Sequence, residues 1–310
     1  MVARGGKKRQ SGRGGSGGKS VGGIAEALPR ETRAATGVSG KNKCASDRDP
    51  TSCGSCFTMT ELREIRDAYT KKTGEKVPGK SYCHLYSELL KRMSCTRDRC
   101  LINRIDVRSD LRNRLRDALV PVAPRDWLKD PTAWLSNIDI DAKVKELVRR
   151  KRYRFLGVQP MDFESVDPEL ASLDPVAVKN SSNPRLLMVM NTDFHDQPGS
   201  HWVGFAAYLK KTDPRYGFYY YDSNGNRPTR QVDAFVTRLT EALGDDPPPP
   251  YEYNDTVHQN TNTECGMFCI SFIDTMINTP RSFPQMCGRM RDDAEMIRRR
   301  TVYFELPGGV

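Results

Sequence analysis

The sequence predicts an α+β fold in which a mostly antiparallel sheet packs against a buried helix, with a small helical module ahead of it. Three apolar runs, RLLMVMN, WVGFAAYL and YGFYYYD, have the length and composition of buried strands and occupy residues 185–191, 202–209 and 216–222. The short loop KKTDPR joins the second run to the third, which favours an antiparallel hairpin. Residues 265–277 form a strongly apolar helical segment. Helices and strands do not alternate regularly, which argues against a doubly wound parallel sheet.

The composition divides the chain into three segments. Residues 1–43 are rich in Gly, Ser, Arg and Lys, with little to bury, and are predicted to be a disordered basic tail. Residues 44–124 are predicted to form the helical, cysteine-rich module, and residues 125–310 the main domain. The module's helical stripes are Leu62, Ile65 and Tyr69, then Leu85, Leu89 and Met93, followed by a third helix over about residues 108–119.

Other elements of the main domain are also predicted. A helical stripe begins near Asp139, and a further helix covers roughly residues 230–243. A short strand, YEYND, follows the PPPP run at 247–250.

The net charge is concentrated in the tail. The chain has 49 Lys and Arg against 39 Asp and Glu, a net +10, and residues 1–43 alone contain 10 basic and 2 acidic side chains. The rest of the chain is therefore nearly neutral and does not by itself require a nucleic-acid partner. The sequence has no run of the roughly 18 apolar residues that span a bilayer, and its N-terminus lacks the apolar centre of a signal peptide. We expect a soluble, unsecreted protein without membrane insertion.

Nine cysteines are unevenly placed. Three lie in the main domain: Cys265, Cys269 and Cys287. The other six lie in the module: Cys44, Cys53, Cys56, Cys83, Cys95 and Cys100. Structural zinc is an alternative for the module, suggested by Cys53-x2-Cys56 and Cys95-x4-Cys100 with Cys44, Cys83 and His84 nearby. Buried or redox-paired thiols fit the loose spacings better.

The predicted hairpin brings a histidine and an aspartate together. His201 precedes the first strand of the hairpin and Asp222 ends the second, so antiparallel pairing makes them neighbours. A carboxylate beside an imidazole fixes its tautomer and stabilises the imidazolium, as a base in nucleophilic catalysis requires. Asn224 and Asn226 are competing acceptors, but within DSNGN they are typical turn residues.

Cys265 lies at the start of the apolar helix, with Asn262 or Thr263 as the expected N-cap. The helix dipole and an adjacent imidazolium favour the thiolate there. Gly266 leaves room for a substrate backbone. Gln259, six residues before Cys265, supplies an amide that can share an oxyanion with the Cys265 N–H.

Each of these residues has a structural explanation when taken singly. A cysteine at a helix start is often a small buried apolar residue, and a histidine at a strand edge is often packed. The other histidines are poorer bases: His195 is in a polar loop, His84 is in the module, and His258 points away from Gln259 in an extended stretch. Only the ordered set makes the hypothesis of a catalytic site strong.

The order HW, then YYYDSNGN, then QNTNTECGMF resembles the clan of ubiquitin-like-protein (SUMO) proteases and adenovirus protease. The similarity is greatest to the branch of large DNA viruses that matures capsids, such as African swine fever virus, and giant-virus relatives. It covers roughly residues 125–305, with support from WLSNIDI, FLGVQPMDF and DDAEMIRRRTVYF, and SCGSCFTMTELREIRDAY in the module looks like giant-virus members.

The resemblance implies a papain-like, adenain-like core and a thiol protease that needs no cofactor. It assigns His201 as base, Asp222 as orienter, Gln259 as oxyanion donor and Cys265 as nucleophile. It also implies that Trp134 and Trp202 clamp an extended substrate tail containing Gly-Gly. The expected substrates are viral structural polyproteins with Gly-Gly-X sites, cleaved in the virion core or at assembly sites in the host cytoplasm or nucleus. The tail is an expected contact for DNA or RNA.

Three rival functions remain open. Deconjugation of SUMO or another ubiquitin-like protein uses the same chemistry on an isopeptide bond. Acetyl transfer by the same residues occurs in bacterial effectors of the clan. A catalytically dead nucleic-acid or scaffold-binding protein is a rival of another class, against which the complete tetrad argues.

Overall fold

The structure is a computed structural model that describes residues 42–290 and 292–307. The predicted tail lies almost entirely outside the described residues. The helices are α1 (Met59–Thr73), α2 (Tyr82–Arg92), α3 (Asp98–Arg104), α4 (Ser109–Asp117), α5 (Asn137–Val148), α6 (Phe163–Val166), α7 (Pro168–Ala171), α8 (Pro175–Asn180), α9 (Arg230–Leu243), α10 (Cys265–Asn278), α11 (Phe283–Cys287) and α12 (Asp293–Tyr303), with a 3-10 helix at Arg125–Leu128.

Five strands form one sheet in the order β1 to β5. They are β1 (Arg154–Gln159), β2 (Arg185–Asn191), β3 (Trp202–Tyr208), β4 (Gly217–Tyr221) and β5 (Tyr251–Tyr253). The central strands pair antiparallel, β2 with β3 and β3 with β4, as the hairpin pattern predicts. The edge strands β1 and β5 add in parallel, which the sequence pattern did not indicate because both strands are short and only partly buried.

Both faces of the sheet are covered by helices. Leu187 and Val189 of β2 pack in a core formed with α5, α10 and α12. Their neighbours on the same strand, Leu186 and Met188, point the other way into a core formed with α9 and the segment that contains α6 to α8. Because successive side chains alternate between the two cores, the central strands are apolar throughout rather than alternating. Burial on both faces fixes the ends of β3 and β4, where the candidate site lies.

The helices of the module enclose a third, smaller core between Cys56 and Leu119. The six cysteines of the module pair as Cys44–Cys56, Cys53–Cys83 and Cys95–Cys100. In the described part of the chain, no group of three or more His, Cys, Asp and Glu side chains is placed to hold a metal ion. Zinc binding by the reduced module remains a prediction for metal analysis.

The main domain predicted over residues 125–310 contains the sheet and is called the sheet domain below. Polar contacts, as well as the chain, join the module to it. The Arg97 guanidinium lies 3.1 Å from the Glu305 carboxylate, and Arg99 contacts the other oxygen of that carboxylate. The Ser46 N–H and the Lys143 ammonium both donate to Glu146, which is buried on α5. These contacts hold the module against α5 and the segment that follows α12.

None of the helices within residues 42–290 and 292–307 combines the length and the apolar character that crossing a membrane requires.

Candidate active site

The hairpin of β3 and β4 brings His201 and Asp222 together. His201 directly precedes β3 and Asp222 directly follows β4, and the strands pair with Gly204 opposite Tyr221. At the ends of these strands Nε2 of His201 lies 2.7 Å from Oδ1 of Asp222. The neighbour relation that the sequence predicts is therefore present.

His201 is largely buried, and burial alone would lower its pKa because the imidazolium is desolvated. Hydrogen bonds to Asp222 and Cys265, together with the negative charges of those two groups, act in the opposite direction and raise the pKa of His201 to about 9. The ring is therefore an imidazolium at neutral pH. Its Nε2 faces the Asp222 carboxylate, and an imidazolium has a second N–H that can donate to the Cys265 sulfur.

The Asp222 carboxylate is only 2% exposed and accepts three hydrogen bonds. Besides His201, the Asn224 N–H donates to Oδ1 at 2.8 Å and the Asn226 amide donates to Oδ2 at 3.0 Å. Asn226, considered from the sequence as a rival acceptor, is thus a donor that fixes the carboxylate. The Asn254 side chain holds the backbone of Asp222 from both sides, accepting from its N–H at 2.8 Å and donating to its C=O at 2.6 Å.

Cys265 is the first residue of α10, a helix that is buried on nearly all sides. At that position the helix dipole favours a thiolate. Cys269 and Cys287 are the other free cysteines of the described chain. Burial raises the pKa of Cys269 well above its ordinary value and that of Cys287 to about 12. Those two thiols therefore stay protonated at neutral pH, and they are unsuited to act as nucleophiles.

The prediction of Asn262 or Thr263 as the N-cap of α10 is wrong. Glu264 occupies the cap position, and its side chain makes no capping hydrogen bond. Its carboxylate is instead bound by the Arg300 guanidinium of α12, with oxygen–nitrogen distances of 2.9 and 2.7 Å. A buried charged partner outweighs a local cap because an unpaired buried carboxylate is far more costly.

Gln259 is buried, and its side-chain amide is held at both ends. The Ser223 hydroxyl donates to its Oε1 at 2.7 Å, and its Nε2 donates to the Thr261 C=O at 2.6 Å. Since Nε2 has two hydrogens, this arrangement leaves the second for another acceptor. Ser223 follows Asp222 directly, so one strand end positions both the histidine's partner and the glutamine.

The two tryptophans lie on segments that contact each other. Trp134 is 47% exposed, and the Trp202 indole N–H donates to the C=O of the adjacent Leu135 at 3.2 Å. Gly266 is buried, and a Cβ there would meet Leu135 and Ile140 at 3.2–3.3 Å. The expectation that Gly266 leaves room for substrate is therefore wrong on that side, where the glycine allows α10 to pack against the Trp134 segment.

The other three histidines of the described chain interact with groups other than Cys265. His195 pairs with Asp162 at 2.6 Å on the surface, and His84 accepts the Lys80 N–H at 3.3 Å in the module. His258 stacks on Tyr221, whose hydroxyl lies 3.0 Å from Nδ1, and burial lowers its pKa.

Sequence reasoning took Asn226 for an acceptor and missed several other residues that support the site: Ser223 and Asn254 around the His–Asp pair, and Glu264, Asp293 and Arg300 around Cys265 and the loop before it. Ser223 and Asn226 are within the quoted DSNGN motif, so a signal for them existed. Arg300 is 36 residues from Glu264 and has no local pattern that points to it.

Comparison with known proteins bears on the fold and the enzyme class. Residues 179–305 match the family model described as "Ulp1 protease family, C-terminal catalytic domain". Together with the viral protease relatives, this match indicates a cysteine protease in which residues 179–305 are similar to the Ulp1 catalytic domain. The predicted enzyme class, fold and clan resemblance are thereby confirmed.

The relatives are viral proteins. A thiol protease of Acanthamoeba polyphaga mimivirus is 24% identical over 288 residues, covering 85% of this chain and 93% of the relative. A cysteine protease of African swine fever virus, Tick/Malawi isolate, is 24% identical over 245 residues, covering 69% and 84%. A crystal structure of an African swine fever virus protease shares the fold, with a TM-score of 0.60 and 20% identity over 87% of this chain and 97% of that one. The mimivirus alignment covers 85% of this chain, which is more than residues 125–310 alone can supply. The similarity therefore extends into residues before 125.

Proposed function

We propose that this protein is a viral endopeptidase that cleaves structural polyproteins after Gly-Gly during virion maturation. The observation that supports this most is the hydrogen-bonded His201–Asp222 pair, with Cys265 among the groups that raise the pKa of His201, in a chain whose relatives are proteases of large DNA viruses. The family match supports a protein substrate.

The proposed reaction begins with the Cys265 proton on His201. The thiolate attacks the carbonyl carbon of the scissile peptide, and the free hydrogen of the Gln259 amide and the Cys265 N–H stabilise the oxyanion. The Cys265 N–H has no partner within the helix, since it belongs to the first turn. His201 then protonates the leaving amine and activates water for deacylation, while Asp222 holds the ring. The reaction requires no cofactor.

Trp134 and Trp202 are the proposed clamp for the substrate residues before the scissile bond. Their segments contact each other through the Trp202–Leu135 hydrogen bond, so the two indoles would border a narrow passage, and a substrate without Cβ atoms at two positions would pass it most easily.

Deconjugation of SUMO is the second candidate, and a specific observation favours it. African swine fever virus relatives at 22% identity are named SUMO-1 cysteine proteases, and the family model is that of Ulp1. The same tetrad would act on the isopeptide bond after a C-terminal Gly-Gly.

The two candidates are separated by measuring kcat/KM for a SUMO–lysine conjugate and for internally quenched Gly-Gly-X peptides. Polyprotein processing predicts efficient cleavage of the peptides, with bulky residues at both glycine positions abolishing it. Cleavage of the conjugate alone would favour deconjugation. Sequencing new N-termini after incubation with virion proteins identifies the natural sites, with Cys265→Ala as the control.

The basic tail is the proposed nucleic-acid contact, which would place the enzyme in the virion core or at assembly sites in the host cytoplasm or nucleus. Residues 44–124 add 16 basic against 11 acidic side chains, so the charge asymmetry continues into the module. Deleting residues 1–43 should weaken DNA binding and flatten its salt dependence, without changing kcat on a small peptide. Equal DNA affinity of both proteins across a salt series would contradict this role.

A further inference from the structure

Helix α12 contacts the loop between Gln259 and Cys265 at two points. The Asp293 carboxylate, on its first turn, accepts the N–H groups of Asn260 and Thr261 at 2.8 and 3.1 Å. The Arg300 guanidinium, seven residues later, binds Glu264 and the Thr263 C=O. A spacing of seven residues puts both side chains on one face of the helix.

The Arg300 contact concerns the residue directly before the nucleophile. Arg300 is 3% exposed and Glu264 is fully buried, and two guanidinium nitrogens bind the two carboxylate oxygens. A bidentate pair of this kind fixes direction as well as distance. It also neutralises a negative charge beside Cys265 that would otherwise oppose the thiolate.

The same guanidinium contacts the segment before Trp134. It donates to the C=O groups of Pro131, Thr132 and Ala133 at 3.0, 3.2 and 2.8 Å. One side chain therefore links the turn before Trp134 to the residue before Cys265.

The Asp293 contact concerns the glutamine. Asp293 holds the Thr261 N–H, and the Thr261 C=O accepts the hydrogen bond from Gln259 Nε2 at 2.6 Å. Displacement of residue 261 would therefore release the amide nitrogen and change where its second hydrogen points.

We propose that α12 is a positioning element for the reaction, in which Asp293 sets the Gln259 amide and Arg300 sets the start of the nucleophile helix. Neither side chain touches the substrate, and each acts through the loop of residues 260–264. This inference rests on the proposed function, because it assigns roles relative to that reaction.

The first test separates the Asp293 role from simple stabilisation. Asp293→Ala should lower kcat at least about tenfold with KM little changed, since oxyanion contacts strengthen in the transition state. Alkylation of Cys265 by iodoacetamide should keep its wild-type rate, because that reaction uses no oxyanion site. Asp292→Ala is the matched control: Asp292 caps α12 by accepting the Glu295 N–H, and among the described residues it makes no hydrogen bond to the loop. Equal losses of kcat in both variants, or an unchanged kcat in Asp293→Ala, would overturn the role of Asp293.

The second test uses Arg300→Met, which leaves the Glu264 charge unpaired. We expect slower Cys265 alkylation at pH 7, about tenfold, and an upward shift of the alkylation–pH profile. Adding Glu264→Gln should restore most of the alkylation rate, and this double variant also covers the case in which the single variant fails to fold. Arg298→Met, on the exposed side of the same helix, is the control. Wild-type alkylation in folded Arg300→Met, or no recovery in the double variant, would overturn the role of Arg300.

The alkylation assay needs no peptide substrate. If wild type hydrolyses no Gly-Gly peptide or conjugate, the proposed function fails while the Arg300 result still stands. For Asp293, hydrogen exchange of the Asn260 and Thr261 amides gives the corresponding substrate-independent readout. Asp293→Ala should accelerate exchange of both amides, and unchanged exchange would overturn the contact.

Discussion

The module and the sheet domain use cysteine in opposite ways. Within the described residues, all six cysteines of the module are in disulfides, whereas Cys265, Cys269 and Cys287 of the sheet domain are free thiols. Their charges also differ, with 16 basic and 11 acidic side chains in residues 44–124 against 23 and 26 in residues 125–310.

The difference follows from the size of the two cores. Short helices around one small core bury little apolar surface, so cross-links that constrain the unfolded chain add much to stability. The sheet domain has a core on each face of its sheet and needs no covalent support. Its cysteines are thus available for packing or chemistry, and their surroundings decide which.

The largest effects are expected from single replacements at the candidate site of the sheet domain, where a free cysteine is proposed to react. Cys265→Ala and His201→Ala should each lower kcat/KM by about 10⁴-fold or more, because nucleophile and base act as one unit. Asp222→Ala should leave residual activity, since Asp222 only assists the base. The measurement is hydrolysis of a quenched Gly-Gly peptide, with circular dichroism to show that each variant is folded.

Cys269→Ala is the matched control, since Cys269 is one turn further along α10 and its pKa is raised by burial. We expect near wild-type kcat/KM from that variant. Turnover by Cys265→Ala that disappears on further replacement of Cys269 would reverse the assignment.

The pairing of His201 with Asp222 could be predicted from sequence because it depends on local patterns. An antiparallel hairpin places its two ends together, so HW before one strand and Asp after the next are enough to pair His201 with Asp222. A cysteine at the start of an apolar helix is equally local. The central strands were predicted for the same reason, as continuous apolar runs with a short connection.

The supporting contacts could not be predicted, because they join distant residues without periodicity. Asn254 is 32 residues from Asp222, and Arg300 is 36 residues from Glu264. Local propensity favours Asn262 or Thr263 as a cap, and only the tertiary position of Arg300 explains why Glu264 takes that place. Six cysteines allow 15 pairings, so the disulfides of the module were equally out of reach.

Stability and activity should both depend on the protonation of His201 in the sheet domain. The pKa of His201 is raised from 6.5 in the unfolded chain to about 9 in the fold. Its contribution to stability is therefore fully present below pH 6.5 and lost as the pH rises through about 9. Activity should fall only as the pH rises through about 9, where the folded protein loses the imidazolium that is the acid for the leaving amine.

Because a hydrogen bond to Cys265 and the charge of its thiolate both raise this pKa, Cys265→Ala should lower the pKa of His201. NMR titration of the imidazole Cε1–H signal measures it, with Cys269→Ala as the control. An unchanged titration in Cys265→Ala would show that the sulfur and the ring do not interact.

The disulfides of the module should differ in their contribution according to the loops they close. Cys53–Cys83 spans 30 residues and Cys95–Cys100 spans 5. The chain-entropy relation gives about 4 kcal/mol for the first and about 2 kcal/mol for the second. Denaturant unfolding of the two double Cys→Ser variants should follow that order, with kcat unchanged when the assay is below the unfolding transition.

Metal analysis of the same proteins tests the zinc alternative. Stoichiometric zinc in reduced wild type that is absent from both double variants would show that these cysteines serve a metal instead of cross-links.

The smallest expected effect is the pH dependence of stability that comes from Asp98, a buried carboxyl of the module. Asp98 is buried in the module, and this burial raises its pKa to about 6 from an ordinary 3.8. The hydrogen bonds from the Cys56 N–H and the Ser55 hydroxyl act in the opposite direction and lower the pKa, but burial has the larger effect. A raised carboxyl pKa means that the fold prefers the protonated form, so stability is highest below pH 3.8 and declines as the pH rises through about 6. Between pH 5 and pH 8 the ionisation of this one group should therefore lower the free energy of unfolding by about 1 kcal/mol.

Asp98→Asn cannot ionise, so its stability relative to wild type should rise by that amount over the same interval, measured by urea unfolding at each pH. Asp110→Asn, an exposed carboxylate of α4, is the control and should show no such trend. A stability difference between Asp98→Asn and wild type that stays constant from pH 5 to pH 8 would mean that Asp98 is ionised throughout, and that its hydrogen bonds outweigh its burial.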